Sequence, residues 1–283
     1  MLMKNVRPTS IVGVLRLAKQ LQKQFGGTLS QAQNEAAVRA GFQNYMHAQH
    51  VLGQDPHPET VKPRHRVFIS AYWADRDTSR SGREVWWADL SAPYGDLVTL
   101  AQMREQRAMV RLEPRARDHL VMGYKFDSQE RARRYICHAL RTFQFIDATK
   151  LRPSAAHSRL YPGGSSENAI PGQDHETGWY DPVSKGHVLV DEPYELAALS
   201  DANERILWAE KHGFDVVKSD WRGMYKPLEL NGSCMYLIAS KKNGPPLLPL
   251  AQALSKLPPP IIEGNWAGES VHGHSPFISP ASR

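Results

Sequence analysis

The sequence predicts an α+β protein: an N-terminal three-helix module, an antiparallel-sheet body with packed helices and a disordered C-terminal tail. Three patterns predict this fold class. The N-terminal region carries helix caps and turn glycines, residues 66–90 alternate apolar and polar side chains, and residues 128–143 repeat apolar side chains with the helical period. We therefore expect these boundaries: module 1–53, linker 54–65, body 66–257 and tail 258–283.

The module is expected to contain three short helices. The first ends at the Gly26-Gly27 pair, where a left-handed backbone terminates a helix without strain. Ser30, with Gln33 three residues on, forms the S-x-x-Q capping box that opens the second helix. Asn44 begins the third helix.

The stretch SQAQNEAAVRAGFQNYMHA resembles the middle of a helix-turn-helix. Its Ala37-x-x-x-Gly41 spacing lets two helices cross closely. In that interpretation, polar side chains suited to bases or phosphates contact nucleic acid: Arg39, Gln43, Asn44 and His47. The alternative is a module for helix packing or for docking a protein partner.

The positive charge is concentrated at the N-terminus. Residues 1–65 hold eight Lys and Arg against three Asp and Glu, so nearly all of the net charge of +6 lies there. A basic N-terminal unit favours an anionic partner.

The body should open with a hairpin, because RVFISAYW places Val67, Ile69 and Trp73 on one face and EVWWADL returns beside it. Further strands, helices and one long irregular loop are expected in this order: strand 119–126, helix 128–143, loop 152–178, strands near 178–192, helices within 194–212, strands 214–218 and 234–240, and helix 247–256.

The long helix 128–143 carries a second basic feature. Three arginines and a histidine stand at three- and four-residue steps on the side expected to face solvent: Arg131, Arg134, His138 and Arg141. Guanidinium groups at that spacing suit consecutive phosphates. The alternative is an ordinary solvated helix face.

The loop concentrates reactive side chains, and its catalytic candidates are His157, Asp174 and His175. Asp174 could orient the His157 imidazole as a general base, and the two histidines with a carboxylate could hold a metal ion. No H-E-x-x-H, G-x-S-x-G or phosphate-loop motif is present, and Gly163-Gly164 lacks the lysine that would follow. The sequence thus predicts no cofactor and no defined metal site.

Several stretches carry a family resemblance: NVRPTSIVGVLRLAK, AGFQNYMHA, SAYWADRDTSRSGRE, CHALRTFQFIDATKLRPS, HSRLYPGG, IPGQDHETGWYDP, DEPYE, HGFDVVK and WRGMY. Over nearly its full length the chain resembles an uncharacterised proteobacterial family, a domain of unknown function found among plasmid and integrative-element genes. The N-terminal piece also resembles a helical module that precedes other domains, including glyoxalase-like ones. The family brings no known activity.

The expected function is that of a nucleic-acid-binding accessory protein of a bacterial mobile element, with DNA as the favoured partner. One alternative is a metal- or His-dependent enzyme of the hydrolase or nuclease class centred on residues 152–181. A further alternative is an adaptor that docks a protein through residues 1–53. The sequence shows neither a long apolar run nor a secretory leader, so we expect a cytoplasmic protein without a membrane partner.

Overall fold

The computed structural model describes residues 11–52 and 65–282. The chain divides into two compact units, Met1–Lys62 and Pro63–Arg283. Except for its last residue, the expected linker 54–65 lies outside the described residues. Helices and two β-sheets make the protein α+β, as the sequence predicted.

The N-terminal unit contains helices α1 (Ile11–Phe25), α2 (Leu29–Arg39) and α3 (Tyr45–Leu52). A capping box opens α2, but it consists of Thr28 and Gln31 rather than the predicted Ser30 and Gln33. The Gln31 amide N–H donates to Thr28 Oγ1 at 3.3 Å, and Gln31 Oε1 accepts from the Thr28 N–H at 3.1 Å. The helix begins earlier because Gly26 and Gly27 complete the reversal of the chain at positive φ.

Alanines dominate the interior of this unit. Its buried residues are Val14, Ala18, Leu21, Ala32, Ala36, Ala37, Ala40 and Ala48. Small side chains let α1 and α2 approach closely, and Gly41 turns the chain at φ 95° toward α3. Of the predicted Ala37-x-x-x-Gly41 pair, Ala37 is buried in this core, whereas Gly41 is exposed, has open space where a Cβ would lie and serves only as a turn residue.

The second unit, the body, contains these elements in chain order: β1 (His65–Asp75), β2 (Arg80–Leu90), α4 (Tyr94–Leu97), α5 (Leu100–Arg104), β3 (Leu112–Ala116), β4 (His119–Phe126), α6 (Gln129–Thr149), β5 (Arg152–Pro153), β6 (Thr177–Tyr180), β7 (His187–Asp191), α7 (Glu195–Ser200), α8 (Ala202–His212), β8 (Phe214–Lys218), β9 (Tyr236–Ser240), α9 (Leu247–Ser255) and β10 (Glu269–His272). Short 3-10 turns lie between β5 and β6.

The strands form two five-stranded sheets. The first has the order β10-β2-β1-β4-β3, in which β1 and β2 form the predicted antiparallel hairpin and β1 runs parallel to β4. The second has the order β5-β6-β7-β9-β8 and is antiparallel throughout. The first sheet is therefore mixed and the second is purely antiparallel.

Helix α6 joins the two sheets through one apolar core. Ser128 caps the helix, and the apolar positions predicted from its sequence are buried: Ala132, Ile136, Ala139, Leu140 and Phe143. Farther along, the Phe145 ring lies 4.5 Å from the Trp179 ring of β6. The core therefore continues from the first sheet across α6 to the second.

The Glu84 carboxylate of β2 is fully buried and accepts four hydrogen bonds from side chains. The donors are Trp73 Nε1 at 3.1 Å, Gln129 Nε2 at 2.8 Å, Arg133 Nε at 2.7 Å and Ser270 Oγ at 2.6 Å. A buried charge is tolerated only when it is paired and hydrogen-bonded. The Glu84 carboxylate therefore connects β1, β2, α6 and β10 through hydrogen bonds to one side chain.

The C-terminal segment 258–282 differs from the expectation of disorder, because β10 pairs with the edge of β2. Trp266 packs edge-on against Trp86 with ring centroids 4.9 Å apart. The buried Arg83 guanidinium donates to the Ser275 carbonyl oxygen at 2.7 Å. The composition of this segment failed to predict its ordered structure. Addition of a strand to a sheet edge depends on backbone hydrogen bonds and on charged side chains that lie far away in the sequence.

No helix in the described ranges is sufficiently long and apolar to cross a membrane.

We expect Glu84→Gln to lower the free energy of unfolding by about 3 kcal/mol, because an amide leaves Arg133 facing a neutral partner in a buried site. Urea unfolding measures the change. The control is Glu130→Gln, which removes an exposed carboxylate paired with Arg134 and should cost about 0.5 kcal/mol or less. Equal losses in the two variants would contradict a special role for the buried carboxylate.

Candidate functional site

The residues predicted to contact nucleic acid, around the second turn of the module, form hydrogen bonds and an ion pair with nearby residues. Asn44 Oδ1 accepts from the His47 N–H at 2.8 Å, and His47 Nδ1 accepts from the Gln43 N–H at 3.1 Å. This reciprocal pair opens α3 as a capping box would. Arg39 is exposed but pairs with Glu35 at 2.8 Å. These four residues lie near the surface, yet Asn44 and His47 use an acceptor atom each in the cap.

Helix α1 presents a basic face whose members the sequence identified only through their charge. Arg16, Lys19 and Lys23 are exposed and stand at steps of three and four residues, so they share one side of the helix. They extend over about 10 Å of helix axis. Within residues 11–52, none of the three forms an ion pair. We call these residues the α1 basic face.

The basic row predicted on α6 divides into an exposed half and a buried half. Arg131 and Arg134 are exposed, and each pairs with a carboxylate one turn earlier at 2.7 Å. His138 is half-buried. Arg141 is 1% exposed, so its expected place on the solvent side is wrong. The C-terminal half of α6 is covered on this side by the chain around Met224 and by the C-terminal segment.

Arg141 bonds three backbone carbonyls. Its Nε donates to Met224 O at 2.7 Å, Nη2 to Tyr225 O at 3.0 Å and Nη1 to Ile261 O at 2.5 Å. With every nitrogen of the guanidinium engaged, the side chain is structural and is not available to a phosphate.

His138 and Thr142 of α6 line a small cavity of about 20 Å³ together with His175, Glu192 and Tyr225. We call these residues the His175 cluster. A cavity of this volume holds about one water molecule. The arrangement therefore accommodates proton exchange with water but no organic substrate inside the cavity.

His175 lies just before β6 in a left-handed conformation, with φ 51°. Its ring stacks on the Tyr225 ring at 3.6 Å with an interplanar angle of 19°. Its Nδ1 lies 3.1 Å from Asp174 Oδ1, which also accepts the His175 backbone N–H at 2.9 Å. A left-handed non-glycine residue costs about 1 kcal/mol or more, so the surrounding contacts must hold it.

The Asp174 pairing predicted for His157 is wrong. His157 is exposed in the 3-10 turn His157–Arg159, and in the described part of the chain its side chain contacts neither Asp174 nor His175. The buried Asp191 sets the position of Asp174 by accepting its N–H at 2.8 Å. Within the described ranges no group of three or more His, Cys, Asp or Glu could hold a metal ion.

Glu192 is a member of the cluster that sequence reasoning missed. Its Oε1 accepts the Met224 and Tyr225 N–H groups at 2.6 and 3.0 Å. Burial raises the pKa of this carboxyl to about 7. On the opposite side, burial lowers the pKa of His138 to about 3, so His138 is neutral near pH 7. The available signal was an Asp-Glu pair directly after the apolar strand residues HVLV.

Gly223 allows the Met224–Tyr225 amides to reach Glu192. It has φ 108°, and a Cβ at this position would collide with Glu192 Oε1. A glycine at this point is therefore required by both conformation and space.

No family model, curated protein or solved structure matches the chain. Function is therefore inferred from the geometry and charge of the residues above.

We expect the stability difference between wild type and Glu192→Gln to depend on pH. The pKa of Glu192 is raised from the ordinary value of 4.5 to about 7 in the folded protein. Between these two pH values the folded protein therefore holds a proton on Glu192 that the unfolded chain releases. Wild-type stability should therefore fall relative to Glu192→Gln as pH rises from about 5 to about 8, by up to about 3 kcal/mol.

Urea unfolding at several pH values measures this difference. The matched control, Glu176→Gln, removes an exposed carboxylate beside the same cavity and should keep the wild-type profile. A difference that stays constant with pH would refute the assignment to Glu192.

Proposed function

We propose that the protein binds nucleic acid, with DNA as the favoured partner, through the α1 basic face. The observation that carries the proposal is the row of Arg16, Lys19 and Lys23, exposed and without an ion pair within residues 11–52. Cations that are not already paired release phosphate counterions on binding without first breaking an internal salt bridge.

Backbone contacts should dominate this binding. The Asn44 and His47 acceptors that suited base edges are engaged in the α3 cap, so little remains to read sequence. The paired Arg131 and Arg134 of α6 should contribute less than the α1 basic face. The resemblance to a family of plasmid and integrative-element proteins supports a role as an accessory protein of a mobile element, in the cytoplasm where such DNA is found.

The test is fluorescence anisotropy of the full chain with duplex DNA and duplex RNA of equal length over a range of salt. The triple variant Arg16→Gln, Lys19→Gln, Lys23→Gln should bind all sequences more weakly. Loss of three phosphate contacts should flatten the slope of log K against log salt by about 2.7.

The control variant is Arg104→Gln, Lys125→Gln, Lys256→Gln, which removes the same charge from exposed body positions. It should retain the wild-type slope. Absence of binding to both nucleic acids at low salt, or equal losses in the two triple variants, would reject the proposal. In that case the exposed apolar residues of the module, Phe25 at 67% and Met46 at 73%, favour the protein-docking alternative.

A second candidate function, acid–base hydrolysis, is favoured by His175 and Glu192, which line one cavity, and by Asp174, whose carboxylate lies 3.1 Å from His175 Nδ1. A water in that cavity would lie beside a carboxyl that titrates near neutrality. The cavity itself is too small for a substrate, so the scissile group would have to reach this water from outside the cavity.

Under this second function, His175→Gln should abolish hydrolysis of DNA, RNA or phosphate esters by the full chain. His157→Gln, an exposed histidine of the same loop region, should retain it. Lack of hydrolysis by the wild type, or equal activity in both variants, would leave the His175 cluster as a structural network.

A further inference from the structure

A basic groove lies at one end of the second sheet, and neither proposed function uses it. Its volume is about 690 Å³, within the range of small-molecule sites. The lining includes three cations and two histidines: Arg159, Lys185, His187, Lys211 and His212. They come from the first 3-10 turn after β5, the β6–β7 turn, β7 and the C-terminal end of α8. Four separate segments of the chain thus converge on one concave surface.

The sign of the charge distinguishes this groove. Among the described residues that line it there is no Asp or Glu. Two larger grooves of the body contain carboxylates: Asp89, Asp96 and Asp118 in one, Asp220 and Glu229 in the other. A concave surface lined by one sign of charge concentrates counterions of the opposite sign.

The three cations are also available to a ligand. Arg159, Lys185 and Lys211 are exposed, and within residues 65–282 none forms an ion pair. By contrast, Lys218, Arg222 and Lys241 each lie within 4.0 Å of a carboxylate. Unpaired cations gathered in a groove repel one another, and an anion would relieve that repulsion.

The histidines supply hydrogen-bonding groups and flat rings. His187 is half-buried; burial, with a smaller contribution from the Arg159 charge, lowers the pKa of its imidazole. A neutral imidazole presents one donor and one acceptor. The rings are supported from below, because His187 packs on Tyr180 and His212 packs on Trp208 at 5.3 and 5.4 Å between centroids.

Below these side chains the groove has a fixed floor. Tyr161 and Phe214 both line it and are buried in a separate apolar cluster with Trp208. Gly163, from the glycine pair singled out in the sequence, also lines the groove and turns the chain at φ 64°. The exposed cations can bind the charged end of a ligand. The buried aromatic side chains beneath them provide an apolar surface for the rest of the ligand.

We propose that this groove binds the phosphate group of a nucleotide-sized phosphorylated ligand, with Arg159 and Lys211 as its principal contacts. Guanidinium matches phosphate through two parallel hydrogen bonds, and lysine adds a mobile point charge. The site belongs wholly to the body, so it is independent of the α1 basic face.

Isothermal titration of the full chain tests the proposal with three probes: inorganic phosphate, adenosine 5′-monophosphate and a hexathymidylate without a terminal phosphate. Adenosine serves as the uncharged comparison. We expect the monophosphate to bind, phosphate to compete with it, and adenosine not to bind. The variant Arg159→Gln, Lys211→Gln should weaken the monophosphate at least about tenfold, because two charge-assisted contacts are lost.

The control Lys125→Gln, Lys256→Gln removes equal charge from exposed positions outside the groove and should stay within about twofold of wild type, because distant exposed charges are screened by salt. Binding of the hexathymidylate alone, lost in the groove variant, would identify the phosphate as that of a nucleic-acid strand. Failure of all three probes, equal binding of adenosine, or equal losses in groove variant and control would overturn the proposal. The α1 triple variant should retain monophosphate binding. The nucleic-acid proposal and the groove proposal can therefore fail independently of each other.

Discussion

The Arg141 guanidinium is the contact on which the arrangement of the body depends. From the middle of α6 it donates to the carbonyls of Met224, Tyr225 and Ile261, while Glu192 accepts the amides of the first two. One peptide segment is therefore held from both sides, by a cation on its carbonyls and by a carboxyl on its amides. Every nitrogen of this buried arginine has a partner, and loss of a partner would leave part of a buried charge uncompensated.

This fixed segment in turn places the reactive side chains of the long loop. Tyr225 provides the face on which His175 stacks, and Asp191, paired with Arg205 at 2.5 Å, holds the backbone of Asp174. Between β5 and β6 the loop has no regular secondary structure beyond short 3-10 turns. Its geometry comes from residues on α6, β7 and α8, which explains how a strained φ at His175 persists.

Charge serves two purposes in this protein, and burial separates them. Glu84, Arg141 and Asp191 are buried, fully bonded and structural. The arginines at the start of α6 are exposed but satisfied by carboxylates one turn away. Among the described cations that have no ion pair, two groups lie close together, the α1 basic face and the three cations that line the groove beside β7. Cations clustered in this way attract an anionic partner.

The sequence alone determined the elements whose signals are local. The apolar period of α6, the β1–β2 hairpin and the three helices of the module depend on neighbours within a turn or a strand pair, and all are confirmed. Tertiary structure decided the rest. Arg141 is buried rather than solvated, Glu192 joins His175, and β10 orders the C-terminal segment through contacts between residues far apart in the chain. No local sequence pattern predicts such contacts, because the neighbours of a side chain on a helix are set by residues that are distant in the sequence and adjacent only in the folded chain.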